Sequence, residues 1–139
     1  MLALTFILTA CSTNQTIETG TTNDRLSPCP KSPNCVSSLS EDQSHYVEPL
    51  TYEVSQEEAR ENLLSVINSM KRSKILTAEM NYIHATFKSA LFRFVDDVEF
   101  SFDDQRKVID VRSASRIGYS DLGVNRKRVE EIRKRFTNP

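Results

Sequence analysis

The sequence predicts an α+β fold of two layers, an antiparallel sheet of about four strands with two helices packed on one face. Three observations predict it. Two segments place apolar residues at helical spacing, and the segments between them are rich in β-branched and aromatic residues that partly alternate with polar ones. The 139 residues, 38% hydrophobic and 27% charged, are enough for one core and not for two. A formal net charge of -1 excludes a polycation built for nucleic acid, and three Gly with no Trp exclude Gly-rich phosphate loops and repeat arrays.

The chain opens on Met1 to Ala10 (MLALTFILTA), apolar or Thr throughout. That run is too short to span a bilayer and suits the hydrophobic region of a signal peptide over residues 1–10. Leu8-Thr9-Ala10-Cys11 resembles the lipobox of bacterial lipoproteins, which makes Cys11 the lipidated first residue of the mature chain. By resemblance to sorting in double-membrane bacteria, Ser12 after the Cys favours the outer membrane, facing the periplasm. The segment from Cys11 to Ser27 has five Thr and no aromatic residue, too little apolar surface to repay the entropy of ordering it. It reads as a tether with a reach of about 20 to 25 Å, leaving residues 28–137 as the single domain.

Cys29 and Cys35 remain as an even pair in Cys29-Pro30-Lys31-Ser32-Pro33-Asn34-Cys35, and an exported protein sits where disulfides persist. A disulfide between them is expected, pinning a Pro-rich loop onto the domain. A zinc site that recruits His45 and His84 is the alternative, although the Cys spacing is wider than that of a zinc knuckle.

Pro49 to Val54 reads as a short strand. Ser55-Gln56-Glu57-Glu58 is a capping box, and the helix it opens runs to about Lys71 with Ala59, Leu63, Val66, Ile67 and Met70 on one face. Lys74 to Met80, Tyr82 to Lys88, Leu91 to Phe102 and Lys107 to Ser115 supply the strands. A last helix spans about Leu122 to Phe136, with a stripe of Leu122, Asn125, Val129, Ile132 and Phe136. Its Arg126/Glu130, Lys127/Glu131, Glu130/Lys134 and Glu131/Arg135 pairs stand at i,i+4 spacing.

A two-residue turn at Asp104-Gln105 would place Val98 opposite Val111 and Phe100 opposite Ile109 on one face. On the other face Asp97 would meet Arg112, and Glu99 would meet Asp110, a like-charge pair that needs Arg112 or a divalent metal between them. Asp96 shares the parity of the apolar residues, so it points inward and needs a donor from Arg116 or the last helix. Asn125 sits in a core stripe and needs partners too. Together they predict a polar network that locks the loop Arg116 to Gly123.

Three stretches carry a resemblance. Cys29-Pro30-x-Ser32-Pro33-Asn34-Cys35-Val36-Ser37-Ser38, Phe94-Val95-Asp96-Asp97-Val98-Glu99-Phe100, and Arg112 through Asn125-Arg126-x-Arg128 resemble the signature of domain-of-unknown-function family 1499, over about Ser27 to Phe136. The resemblance implies an exported or membrane-associated bacterial protein, and it carries over no activity and no catalytic residue.

From Gln105 to Phe136 there are ten Lys and Arg against four Asp and Glu, so charge is segregated along the chain. Arg suits carboxylates and phosphates by forked hydrogen bonding. The leading expectation is a membrane-anchored, non-catalytic envelope module without a cofactor or metal. It would bind a small anionic molecule, a lipid headgroup or an envelope protein, and no nucleic acid. Its candidate ligand-binding residues are Asp96, Asp97, Arg112, Ser113, Ser115, Arg116, Tyr119, Asp121, Asn125, Arg126 and Arg128. The alternatives are a hydrolase-like enzyme using Asp96 and Asp97 as acid and base, or a purely structural envelope protein.

Overall fold

The computed structural model describes residues 21–22 and 25–137. The expected leader, the expected lipid site at Cys11 and most of the expected tether lie outside the described residues. A small ribbon pairs β1 (Thr21–Thr22) with β2 (Arg25–Leu26). The main sheet contains β3 (Cys35–Ser37), β4 (Leu50–Thr51), β5 (Ser73–Ala78), β6 (Tyr82–Lys88), β7 (Val95–Asp103) and β8 (Val108–Ser115), with α1 (Gln56–Ser69) before β5 and α2 (Val124–Thr137) last. The spatial order is β3-β8-β7-β6-β5, all antiparallel, and β4 shares with β3 the outer side of β8.

The chain is therefore α+β, with an open antiparallel sheet of six strands rather than about four. The short strand read at Pro49 to Val54 forms as β4, and the strand not read from the sequence is β3, three residues long and too short to carry an alternation. The folded region also begins earlier than Pro28: Leu26 and Ser27 are buried, and β2 lies against β7 and β8. Burial of Leu26 shortens the expected tether.

One face of the sheet carries Ile83, Ala85, Phe87, Val98, Phe100, Phe102, Ile109 and Val111, and both helices bury their apolar stripes in that same core. In α1 the buried residues are Ala59, Leu63, Val66 and Ile67, and the Ser55 hydroxyl accepts the Glu58 N–H at 3.1 Å, as the capping box requires. In α2 they are Asn125, Val129, Ile132 and Phe136. Leu122 does not join them. It precedes the helix with φ 54° and is 86% exposed, because Asp121 caps the helix and turns Leu122 and Gly123 outward in left-handed conformations. Of the expected helix pairs, Glu131–Arg135 forms at 2.7 Å, whereas Arg126 reaches across to the carbonyls of Tyr46 and Ser44.

The β7–β8 register corrects the expected hairpin by two residues. Asp103 accepts the N–H groups of Gln105 and Arg106, and Lys107 adopts φ 54°, so the turn spans four residues, 104–107. Phe100 now pairs with Val111 and Val98 with Ser113, and Glu99 stands opposite Arg112 rather than Asp110. A shift of two keeps every residue on its expected face and removes the like-charge pair. A register shift between Ile75 and Thr77 interrupts the β5–β6 ladder. Among the described residues no helix is long and apolar enough to cross a membrane.

Candidate functional site

Alternation along β7 sends Asp96 and Asp97 to opposite faces, and the candidate residues divide accordingly. On the helix side Asp96 is buried and pairs with Arg128 of α2, which supplies the donor that its inward orientation requires. Arg128 Nη1 also donates to Asn125 Oδ1 at 2.7 Å, and its guanidinium lies 5.1 Å from the centre of the Phe87 ring. Asn125 is fully buried. Its Oδ1 accepts from Ser113 Oγ at 2.6 Å, and its Nδ2 donates to Ser115 Oγ and to Asp121 Oδ2, both at 2.8 Å.

Asp121 also accepts the backbone N–H groups of Gly123 and Asn125. Burial alone would raise its carboxyl, and these donors outweigh burial and hold it below the usual carboxylate range. Asn34 closes the network: its carbonyl accepts from Asn125 Nδ2, and its side-chain amide donates to the Gly118 carbonyl at 2.8 Å. The Cys29–Cys35 disulfide, with Cα atoms 5.7 Å apart, closes the loop that carries Asn34. Asp96, Ser113, Ser115, Asp121, Asn125 and Arg128 thus satisfy one another, and they bind the disulfide loop, β8 and the start of α2 into one unit.

The opposite face holds a second cluster. Arg116 donates from Nε and Nη2 to the two oxygens of Asp97 at 2.8 and 2.9 Å, and His84 Nε2 lies 2.8 Å from the same carboxylate. Burial of Asp97 opposes ionisation, but Arg116 and His84 overcome it and hold the carboxyl at about 2. One step along the sheet, Glu99 takes Arg112 Nη1 at 3.1 Å and the Tyr82 hydroxyl at 2.6 Å. Burial, then the bond to Glu99, pushes the Tyr82 hydroxyl well above its ordinary range. Arg112 is nearly as buried as Glu99, and its Nε has no hydrogen-bond partner among the described residues. Asp110 meets Arg106 at 2.7 Å.

Sequence reasoning set Glu99 beside Arg112 on this face, and it missed His84 and Tyr82 as members of this cluster. The signal was present, since Tyr82, His84 and Thr86 alternate with Ile83, Ala85 and Phe87. The expectation that Asp96 and Asp97 serve as an acid and base pair fails geometrically, because no reacting atom can lie on both sides of a sheet. Among the described residues no hydroxyl or thiol bonds to His84. The zinc alternative falls as well: the two Cys are joined to each other, His45 Nδ1 lies 2.8 Å from the Cys35 carbonyl, and His84 stands on Asp97. No group of three or more His, Cys, Asp or Glu among the described residues is placed to hold a metal ion.

Two candidates stand apart. Arg126 serves the loop at Ser44 to Tyr46, and Tyr119 is 74% exposed on the β8–α2 loop. A cleft of about 500 Å³ lies between the disulfide loop and residues 37–45; Leu26, Lys31, Ser37 and His45 line it, and none of the candidate binding residues does. Arg116 is a candidate that reaches solvent while held by a buried carboxylate. Its side chain is 46% exposed, and Nη1 has no protein partner among the described residues.

A family model described as "Protein of unknown function (DUF1499)" matches residues 25–136. No curated protein matches the chain.

Proposed function

Because the chain belongs to the DUF1499 family, whose description assigns no activity, we infer its function from its own residues. It is a non-catalytic binding module of the bacterial envelope, anchored through lipid on Cys11 in the outer membrane and facing the periplasm. It holds an anionic group where Arg116 emerges from the sheet. The observation that carries the reading is the geometry of Arg116. A buried carboxylate grips two of its nitrogens and presents the third to solvent, so the guanidinium is oriented before any ligand arrives.

Its surroundings support the same reading. The end of the sheet that carries Arg116 is formed by the disulfide loop, the start of β5, the β6–β7 turn and the β8–α2 loop. Lys88 pairs with Val95, the Arg116 N–H donates to the Val95 carbonyl, and the Lys88 N–H donates to the Arg72 carbonyl. Lys31, Arg72, Lys88, Arg93 and Lys127 are exposed there. Across residues 28–35, 70–74, 88–94 and 116–127 the one carboxylate is Asp121, which is turned inward as the helix cap. The lipobox-like Leu8-Thr9-Ala10-Cys11 and the disulfide both suit an exported chain.

Titration of the full chain in neutral detergent with inorganic phosphate tests the reading. Amide resonances of Lys88 to Phe94 and Arg116 to Gly123 are expected to shift together. Arg116→Gln is expected to weaken phosphate roughly tenfold or more, as loss of one charge-assisted pair implies. Shifts elsewhere, or an unchanged affinity in the variant, would remove the site.

A further inference from the structure

We propose that the same end of the molecule docks on a bilayer surface that contains anionic lipid, with the β6–β7 turn and the β8–α2 loop set between the headgroups. The proposal rests on the anion-binding reading above and names its partner. It is carried by a second property of these loops, their exposed apolar side chains. Leu91, Phe92 and Phe94 project from the β6–β7 turn, and Ile117, Tyr119 and Leu122 from the β8–α2 loop, with exposures from 47% at Phe94 to 86% at Leu122.

These six are most of the large apolar residues that the described chain leaves in water, and the fold gathers them at one end although they come from two distant segments. An exposed cluster of this kind marks an interaction surface. Its form matches a bilayer. The residues stand at the tips of two loops, with a Tyr among them and Lys88, Arg93 and Arg116 around them. That is the arrangement in which aromatic and aliphatic tips enter the headgroup boundary while cations meet lipid phosphates. The Phe92 and Phe94 rings stack, with centroids 5.5 Å apart and interplanar angle 21°, so part of the turn is ordered before contact.

The absence of Trp from the chain provides the test. Phe92→Trp and Tyr119→Trp each place a single reporter on one of the two loops, and Met80→Trp places one on the exposed β5–β6 turn at the far end of the sheet. Each full-length, membrane-extracted protein is reconstituted into phosphatidylcholine vesicles with and without phosphatidylglycerol. With phosphatidylglycerol present, the two tip reporters are expected to blue-shift and to lose most of their emission to brominated acyl chains, while the Met80→Trp reporter stays in water. Lys88→Glu with Arg93→Glu, in the Tyr119→Trp background, is expected to abolish the shift.

Tip reporters that stay water-exposed on anionic vesicles would overturn docking. So would entry into pure phosphatidylcholine to the same extent, or a shift that survives the charge reversal. If phosphate still binds through Arg116 in that event, the anion site stands and its ligand is a soluble one. If phosphate does not bind but the tips enter, the Arg116 reading is lost and the surface proposal is carried by the loops alone.

Discussion

Asp97 accepts three hydrogen bonds from two cationic or potentially cationic partners while almost wholly buried, and that arrangement makes its ionisation part of the folding equilibrium. Its carboxyl lies at about 2 in the folded protein against an ordinary 3.8, so the unfolded chain takes up the proton first as pH falls. The contribution, on the order of 2 kcal/mol, is fully present above about pH 4 and is lost as pH falls through about 2. Arg116→Gln leaves burial less opposed, raises that carboxyl and moves the acid transition to higher pH, which urea midpoints measured across the acid range will show. Asn125 poses a different case, because its amide serves both ends of one network. Asn125→Ala is expected to cost roughly 2 to 4 kcal/mol in equilibrium unfolding, since Arg128, Asp121 and two serines lose a buried partner together. That Asp96 and Asn125 face inward was legible from parity and helical spacing. The donor to Asp96 was legible only as a choice between Arg116 and the last helix, because Arg116 and Arg128 are equivalent as sequence and differ in the side of the sheet each reaches.

Among the elements, the disulfide loop has the clearest energetic role. Its ring is small, and chain entropy alone gives about 2 kcal/mol for closing it. The loop also delivers the Asn34 carbonyl to Asn125 and to the Ser115 N–H, so its loss is felt beyond the ring. Cys29→Ser with Cys35→Ser is expected to lower stability by at least about that amount, and reduction of the parent protein should reproduce the loss in the same denaturant assay. The long elements were legible because each repeats one pattern over many residues: α1 through its cap and stripe, β6, β7 and β8 through alternation. The register of the last hairpin was not, since it depends on the Asp103 side chain capping two backbone donors and on a left-handed Lys107. The Leu91-Phe92 pair was read as strand for the same reason that it is now informative. Its β-prone side chains lie outside any strand and have no core to enter.

Across the whole molecule, charge segregation along the chain and charge segregation in space turn out to be different things. Much of the basic C-terminal stretch is occupied internally: Arg112 with Glu99, Arg128 with Asp96, Arg126 and Arg133 with backbone carbonyls. The cationic end of the sheet is assembled instead from several short segments with one or two Lys or Arg each, and only the antiparallel topology brings them together. The same topology decides how the sheet stops. A lipid anchor would confine many copies of the domain to two dimensions, where exposed backbone donors and acceptors invite strands of neighbouring molecules to join edge to edge. Neither rim offers a straight run for that. One rim is divided between β3 and β4, and the other is β5, six residues long and interrupted in register between Ile75 and Thr77. Crowding at a membrane surface would therefore concentrate these domains without giving them a ready template for sheet growth.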